Sequence, residues 1–377
     1  MNGWCAEGFE GVARAFEDNF TERGEHGAAV SVRWRGVEVV SLAGGYRDEH
    51  KASPWTTDTL VNMYSAGKGV LSTLLLRFVD RGEIDWETRL SSVWPEFAVG
   101  GKDTATIDHA LSHRAGVPAI GPVLTNDDLR DWTTMTSALA ATPAWSPPGA
   151  RVIYHTNTFG HLIGELVRRL GGTRPGVHLQ QLVTPLGIDV HFGVRPEDAH
   201  RCAEVLWRPA HPIPDIASFD GFDGDTLMNL KAHFNPPGYS SIGLVNSPEW
   251  RSLDIGSTSG HASARGLCDF YDALCTPDML VSTPTLEAAT RTLVHGDCPL
   301  LGEHVTFARG FQPTTPRRPL GPSRHSFGHF GTGGALGFAD PDRHVSFGYV
   351  MNHVIPRWQS SRNRALIDAL YASPPLQ

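Results

Sequence analysis

Hydrophobic positions recur with two different periods along the chain, and the change of period predicts the order of its elements. Between residues 8 and 23 the apolar side chains keep the spacing of one helical face: Phe9, Val12, Ala13, Phe16 and Phe20. Residues 28–34 and 37–42 instead alternate in the manner of strands on either side of Arg35-Gly36. This part of the chain therefore predicts a helix followed by a hairpin with a tight turn.

The next apolar run predicts a buried helix. Residues 69–79 are apolar nearly all round, and Gly82 follows at a position suited to a helix C-terminus. Between about 83 and 250 the pattern changes to proline-rich connections and intermittent helices, among them residues 158–170, which end at Gly171-Gly172. We interpret residues 83–250 as a mainly helical insert.

Strand patterns return after residue 300. They cover residues 305–312, 326–331, 334–339 and 344–351, and a final helix is predicted over residues 358–371. The order predicts an α+β fold in which an antiparallel sheet is flanked by both terminal helices and carries an inserted helical lobe. The corresponding domains are residues 1–82 with 251–377, and residues 83–250, with the active site between them.

Composition narrows the classes of function. The chain has 377 residues, of which 40% are hydrophobic and 19% charged, and its net charge of -8 offers no basic face for nucleic acid. The N-terminus lacks a basic segment followed by an apolar one, and no stretch is apolar for long enough to span a bilayer. These features predict a cytoplasmic protein with no membrane span.

Neither cofactor nor metal is predicted. The five cysteines include no C-x-x-C pair, so we expect reduced thiols rather than a disulfide framework or a zinc knuckle. Although the chain has 18 histidines, it contains no H-E-x-x-H pattern. The remaining candidates for chemistry are hydroxyl, amine and phenol groups.

One lysine stands at a chemically informative place. Only four of the 32 basic residues are lysines, and one lies in Ser65-Ala66-Gly67-Lys68, where the buried helix is predicted to begin. Residues three apart on a helix share a face, and a lysine can lose its proton where an arginine cannot. Ser-x-x-Lys also occurs by chance in many proteins. Its position at the start of a buried helix favours a serine nucleophile with a lysine partner.

Two further segments could complete such a site. Tyr154 follows a proline-glycine loop, and a phenol near a cationic lysine has its phenolate favoured, so it could act as a general base. The glycine-rich stretch 327–335 would let a backbone approach a ligand closely. A half-buried structural tyrosine and a plain bulged strand are the alternatives. The stretch Gly256-Ser257-Thr258-Ser259-Gly260 is interpreted as a loop, because threonine stands where a G-x-S-x-G nucleophile would be.

Taken in order, these motifs resemble those of the penicillin-recognising serine hydrolases, and in particular the class C β-lactamase-like carboxylesterases called family VIII. Ser65-x-x-Lys68 is similar to the nucleophile motif, Tyr154-His155-Thr156 to Tyr-x-Asn, and His329-Phe330-Gly331 to Lys-Thr-Gly. The segments 111–118, 160–169 and 338–341 are also similar, so the resemblance covers nearly the whole chain. It implies a β-lactamase/transpeptidase-like fold.

The resemblance also implies roles for individual residues. Ser65 would be the acylated nucleophile, Lys68 its hydrogen-bonded partner and Tyr154 the general base. The backbone N–H groups of Ser65 and Thr332 would form the oxyanion hole. Residues expected to contact the substrate are His329, Phe330, Gly331 and His155.

Departures from the family pattern bear on the substrate. Thr156 replaces the motif asparagine, and Phe330 removes a hydroxyl that helps to hold a β-lactam carboxylate. Both changes favour an ester with an apolar acyl group over a β-lactam. Residues 212–222 and 234–239 of the insert carry aromatic side chains that could line the acyl pocket.

The leading hypothesis is a hydrolase that cleaves small-molecule carboxylic esters through an acyl-serine intermediate. An acyltransferase of the same fold, acting in a biosynthetic pathway, would share the first half-reaction. A β-lactamase or D-aminoacyl peptidase ranks below these two, and a non-catalytic binding protein ranks last. Oligomeric state is left open.

Overall fold

The computed structural model describes residues 1–207, 213–355 and 358–377. Its strands are β1 (Asn2–Cys5), β2 (Gly27–Trp34), β3 (Val37–Gly45), β4 (Val61–Asn62), β5 (Val190–His191), β6 (Leu206–Trp207), β7 (His261–Ala262), β8 (Val294–Cys298), β9 (Glu303–Phe307), β10 (Gln312–Pro313), β11 (Phe327–Phe330), β12 (Leu336–Asp340), β13 (Val345–Met351) and β14 (His353–Val354). Its α-helices are α1 (Glu10–Thr21), α2 (Gly67–Asp80), α3 (Leu90–Val93), α4 (Ile107–Leu111), α5 (Trp132–Ala141), α6 (Thr158–Gly171), α7 (Pro175–Val183), α8 (Gly224–Phe234), α9 (Pro248–Ser252), α10 (Ala264–Cys275), α11 (Thr283–Arg291) and α12 (Ser361–Tyr371).

Seven of the strands form one antiparallel sheet in the order β1-β3-β2-β13-β12-β11-β10. The predicted hairpin takes the second and third positions: β2 pairs with β3 on one side and, through Val345↔Trp34 to Met351↔Ala28, with β13 on the other. The chain thus brings its first hairpin and its last strands into one sheet. Next to β13 come β12 and β11, and β11 lies against the turn Tyr64–Ala66 that carries Ser65.

Alternation along β13 separates the two faces of the sheet. Tyr349 points to the face covered by the terminal helix α12, where its hydroxyl and Arg362 both bond the carboxylate of Glu25. Gly348 points to the other face, where a Cβ would lie 2.0 Å from the Ala264 carbonyl oxygen of α10. The absence of a side chain there lets α10 pack directly on the sheet.

Most predicted elements are present, and the α+β fold with its antiparallel sheet is confirmed. Two differences have local causes. The edge strand β1 has only four residues and no apolar alternation, so no hydrophobic pattern indicates it. Residues 305–312, predicted as one strand, are divided because Gly310 adopts φ 82 and turns the chain between β9 and β10.

Residues 83–250 contribute helices and short strands but, in the part of the chain that the structure describes, no strand of the seven-stranded sheet. Their apolar side chains nevertheless join those of the sheet and of α2 in one continuous core. The two-domain division stays a prediction. No helix among the described residues is long and apolar enough to cross a membrane.

Candidate active site

Ser65 lies in a tight 3₁₀ turn, Tyr64–Ala66, that leads directly into α2. The residue before it, Tyr64, adopts φ 51, a left-handed conformation that non-glycine residues rarely take. Its ring is held edge-on against Trp207 at 6.2 Å, and its hydroxyl accepts a hydrogen bond of 3.2 Å from Ser241. The surroundings therefore fix a strained backbone at the residue that precedes the candidate nucleophile.

Lys68 stands one turn below Ser65, as the spacing predicts. Its Nζ lies 2.8 Å from Ser65 Oγ, 2.7 Å from the Thr156 carbonyl oxygen and 3.4 Å from the Ser257 carbonyl oxygen. Its side chain is completely buried. None of these contacts is to a carboxylate, so no negative charge compensates for burial of an ammonium group.

Burial lowers the pKa of Lys68 well below its usual range. A neutral amine has two N–H donors and one lone pair, and these match the three contacts of Nζ. The two carbonyl oxygens can accept the N–H groups while the lone pair faces the hydroxyl of Ser65. The geometry suits an amine that accepts the proton of Ser65.

Tyr154 lies beside this pair, with its ring centroid 4.8 Å from Lys68 Nζ. Its hydroxyl is buried and makes no hydrogen bond of ordinary geometry with a described residue. Burial raises the pKa of Tyr154, and proximity to Ser65 offsets only part of that rise. This differs from the expectation that lysine would favour a phenolate: the site is so dry that both groups prefer their neutral forms.

The backbone around Tyr154 is held by three successive hydrogen bonds. The N–H groups of Ile153 and His155 donate to the carbonyl oxygen and to Nδ1 of His113, over 3.0 and 3.2 Å. Between them, the N–H of Tyr154 donates to Cys298 Sγ at 3.3 Å. The His113 ring also packs against the Tyr154 ring at 4.7 Å, so the tyrosine has little freedom to move.

The end of β11 closes against the turn that carries Ser65. At Gly331 a Cβ would lie 2.2 Å from the Met63 carbonyl oxygen and 3.2 Å from the Ala66 nitrogen. The next residue, Thr332, lines the same cavity as Ser65. Glycine thus permits the close approach of the two backbones from which the oxyanion hole is predicted.

None of the four residues expected to contact substrate lines this cavity: they are His155, His329, Phe330 and Gly331. The ring of His155 turns into the core, where Nδ1 bonds the Ile153 carbonyl oxygen at 2.7 Å and Nε2 accepts from Val117 N–H at 3.3 Å. His329 is buried behind Tyr154, and burial lowers its pKa to about 3. Phe330 lies on the opposite side of β11 from His329, in a separate crevice next to Phe307.

The cavity itself has a volume of about 630 Å³. Aromatic side chains supply much of its wall: Tyr64, Tyr154, Trp207, Phe234 and Trp358. Phe234 confirms part of the expectation for the insert. Tyr239 is instead buried and bonds His161 Nδ1 at 2.6 Å, Phe222 is exposed, and Pro212 lies outside the described residues.

A cluster of three charged side chains lies at the cavity wall: Glu303, Arg317 and Arg318. Glu303 bonds both Arg317, at 2.6 Å, and Arg318. The guanidinium of Arg318 also covers the ring of Trp358 at 4.9 Å, and that ring stands edge-on to Tyr154 at 4.8 Å. Glu303 is therefore engaged in two salt bridges rather than free to act as a base beside Ser65.

A family model described as Beta-lactamase matches residues 12–372, which is nearly the whole chain. The chain belongs to the β-lactamase family. This membership agrees with the order of Ser65, Tyr154 and Thr332 along the sequence and with their convergence on one cavity.

Among the relatives of this β-lactamase-family chain is the esterase/β-lactamase LipL of Mycobacterium tuberculosis (strain ATCC 25618 / H37Rv). The two are 30% identical over 362 residues, which cover 92% of this chain and 82% of the relative. The crystal structure of a family VIII carboxylesterase is similar with a TM-score of 0.89 and 31% identity, over 99% of each chain. A penicillin-binding protein homologue from Caulobacter crescentus gives a TM-score of 0.89 and 34% identity, also over 99% of each chain.

Sequence reasoning missed several cavity residues in this β-lactamase-family chain. Trp207, Glu303, Arg317 and Arg318 carry no motif, and only the folded chain brings them to the cavity. From the sequence, the segment that contains Thr258 is interpreted only as a loop. The segment in fact supplies the Ser257 carbonyl to Lys68 and lines the cavity.

Proposed function

We propose that this protein is a serine hydrolase that cleaves small-molecule carboxylic esters through an acyl intermediate on Ser65. The observation that carries the proposal is the contact of 2.8 Å between Ser65 Oγ and a completely buried Lys68 at the wall of an aromatic cavity. The esterase names of LipL and of the family VIII structure support the same activity. The chain also resembles both over nearly its full length.

In the first step, the neutral amine of Lys68 removes the proton of Ser65 as Oγ attacks the ester carbonyl carbon. Burial supports this role because it lowers the pKa of Lys68 well below its usual range. Lysine rather than tyrosine is thus our proposed general base. The two carbonyl oxygens that accept from Nζ keep the lone pair directed at Ser65.

Negative charge then develops on the former carbonyl oxygen, and we assign its stabilisation to the N–H groups of Ser65 and Thr332. The close packing of Gly331 against the Ser65 turn supports this assignment. A donor of this kind contributes about 3 to 4 kcal/mol to the transition state. Tyr154, held as a neutral phenol by burial, would give a proton to the departing alkoxide and recover one from the Lys68 ammonium.

Water completes the reaction by attacking the acyl carbon of the Ser65 ester, which releases the carboxylic acid and restores the serine. The aromatic wall supports an apolar acyl group.

Five cysteines without disulfide partners support a cytoplasmic location.

The test compares p-nitrophenyl butyrate with a chromogenic cephalosporin, using the native chain, Ser65→Ala and Ser72→Ala. Ser72 lies in α2, close to Ser65 in the sequence, is completely buried and does not line the cavity, so it is the control serine. We expect ester turnover that Ser65→Ala abolishes and Ser72→Ala retains, with much slower opening of the β-lactam. Faster turnover of the cephalosporin would contradict the proposal, and transfer of the butyryl group to added alcohol in preference to water would replace hydrolysis by acyl transfer.

A further inference from the structure

The hydroxyl of Thr258 is buried at the cavity wall without a hydrogen-bond partner among the described residues. Thr258 is only 4% exposed. A buried hydroxyl that forms no hydrogen bond costs free energy, and such groups in native structures usually have a reason to persist. Of the buried hydroxyl groups that lack a partner in the described chain, Tyr154 and Thr258 line this cavity. Tyr154 has a proposed role in proton transfer, whereas Thr258 has none.

The backbone that carries this hydroxyl is held firmly. Asn62 Nδ2 donates to the Thr258 carbonyl oxygen at 2.9 Å, and the Thr258 N–H donates to the Ile255 carbonyl oxygen at 3.0 Å. In the preceding residue, Ser257 Oγ donates to the Asn157 carbonyl oxygen at 2.8 Å. These contacts hold the backbone of Thr258 at the cavity wall.

This position is close to the reacting groups. The carbonyl of Ser257, one peptide unit before Thr258, lies 3.4 Å from Lys68 Nζ, which in turn lies 2.8 Å from Ser65 Oγ. Thr258 and Ser65 also line the same cavity, so a substrate held at Ser65 has the Thr258 hydroxyl within the same binding space. The acyl group takes part in both half-reactions, because it stays on Ser65 after the alcohol has left. A hydrogen bond from Thr258 to the acyl group can therefore act in both steps.

We propose that Thr258 binds a hydroxyl or keto oxygen on the acyl chain, within two or three carbons of the ester carbonyl. The preferred substrates are then esters of hydroxy or oxo carboxylic acids rather than of plain alkanoic acids. This inference rests on the proposed ester hydrolysis at Ser65. The aromatic walls take the rest of the acyl group, and Thr258 supplies the polar selectivity that those walls lack.

The test measures kcat/KM for p-nitrophenyl butyrate, 2-hydroxybutyrate and 3-hydroxybutyrate with the native chain, Thr258→Val and Thr258→Ser. We expect the native chain to prefer one hydroxy ester over butyrate by about tenfold, the usual size of one hydrogen bond in a dry site. Thr258→Val keeps the side-chain shape and should reduce that ratio to about one. Thr258→Ser keeps the hydroxyl and should retain most of the preference.

Ser72→Ala is the control for loss of a buried hydroxyl that lacks a partner among the described residues, and it should leave the ratio unchanged. Equal kcat/KM for all three esters in the native chain would overturn the inference, as would a preference that survives in Thr258→Val. So would an equal loss for all esters in Thr258→Val, because that loss indicates a structural role. Failure of the native chain to form a Ser65 adduct with any ester would instead refute the proposed function itself.

Discussion

At the residue scale, two completely buried lysines show how contacts decide the role of a side chain. Lys68 reaches a serine hydroxyl and two carbonyl oxygens, whereas Lys102 reaches three carbonyl oxygens, those of Val99, Ala140 and Thr142. Lysine is rare in this chain, but its rarity does not distinguish the role of Lys68 from that of Lys102. Only the motif position of Lys68 distinguished them in the sequence, and the contact with Ser65 gives that distinction a physical basis.

Replacing Lys68 tests its role as the base. Lys68→Met removes the amine, and Lys68→Arg keeps a cation that cannot accept a proton, so both should lower the rate of Ser65 acylation by at least about 10². In the native chain kcat/KM should rise with pH, because the neutral amine is the active form. Since burial lowers the pKa of Lys68, the plateau should be reached well below pH 10.5.

The pH profile also distinguishes lysine from tyrosine. Burial raises the pKa of Tyr154, so a phenolate base would make the rate keep rising beyond pH 10. Such a profile, together with substantial activity in Lys68→Arg, would contradict our assignment. Circular dichroism of both variants would verify that they are folded.

Lys102 should matter for stability instead. Lys102→Met would leave buried carbonyl oxygens that link the Val99 loop to the end of α5 without their donor. We expect the free energy of unfolding to fall by about 2 to 4 kcal/mol in urea denaturation. Lys51→Met, at an exposed position, should change it by no more than about 0.5 kcal/mol. Equal midpoints for the two variants would contradict this structural role.

At the scale of elements, the site depends on how closely β11 approaches the turn before α2. The φ of Gly331 is an ordinary -107, so the glycine is required by space rather than by backbone strain. A methyl group at this position would collide with the Met63 carbonyl oxygen. The strand end would then move away from Ser65 and separate the two proposed oxyanion donors.

Gly331→Ala should therefore lower kcat by about 10² or more while KM changes less, because the lost donor acts mainly in the transition state. Gly11→Ala is the control: it lies in α1, and its Cβ would be 3.8 Å from the nearest atom outside its own helix neighbours, a backbone oxygen. That variant should keep both kinetic constants. Unchanged kcat in Gly331→Ala would show that the backbone contact does not shape the oxyanion hole.

Elements with strong periodicity could be predicted from the sequence, and α1, the β2-β3 hairpin, α2 and α6 are where the pattern places them. Strand alternation places the side chains of His329 and Phe330 on opposite sides of β11, and neither of them lines the cavity. The sequence motif identifies this strand but not which of its side chains face the cavity. That direction depends on which elements of the fold pack against the two sides of β11.

At the scale of the whole molecule, the cavity is assembled from segments far apart in the chain. Ser65, Tyr154 and Thr332 could be predicted because their motifs occur in a recognisable order. Trp207 and Arg318 could not, because nothing in their local sequence indicates which distant residues the fold brings beside them. The fold and the reacting groups were thus more accessible to sequence reasoning than the walls that select the substrate.

The proposed function depends on acylation of Ser65, which intact-protein mass spectrometry can detect. The native chain would be mixed briefly with p-nitrophenyl butyrate, quenched in acid and weighed beside Ser65→Ala and Ser72→Ala. We expect a mass increase of one butyryl group in the native chain and in Ser72→Ala, located by peptide mapping at Ser65, and none in Ser65→Ala. An adduct at another residue, or ester turnover that persists in Ser65→Ala, would contradict it.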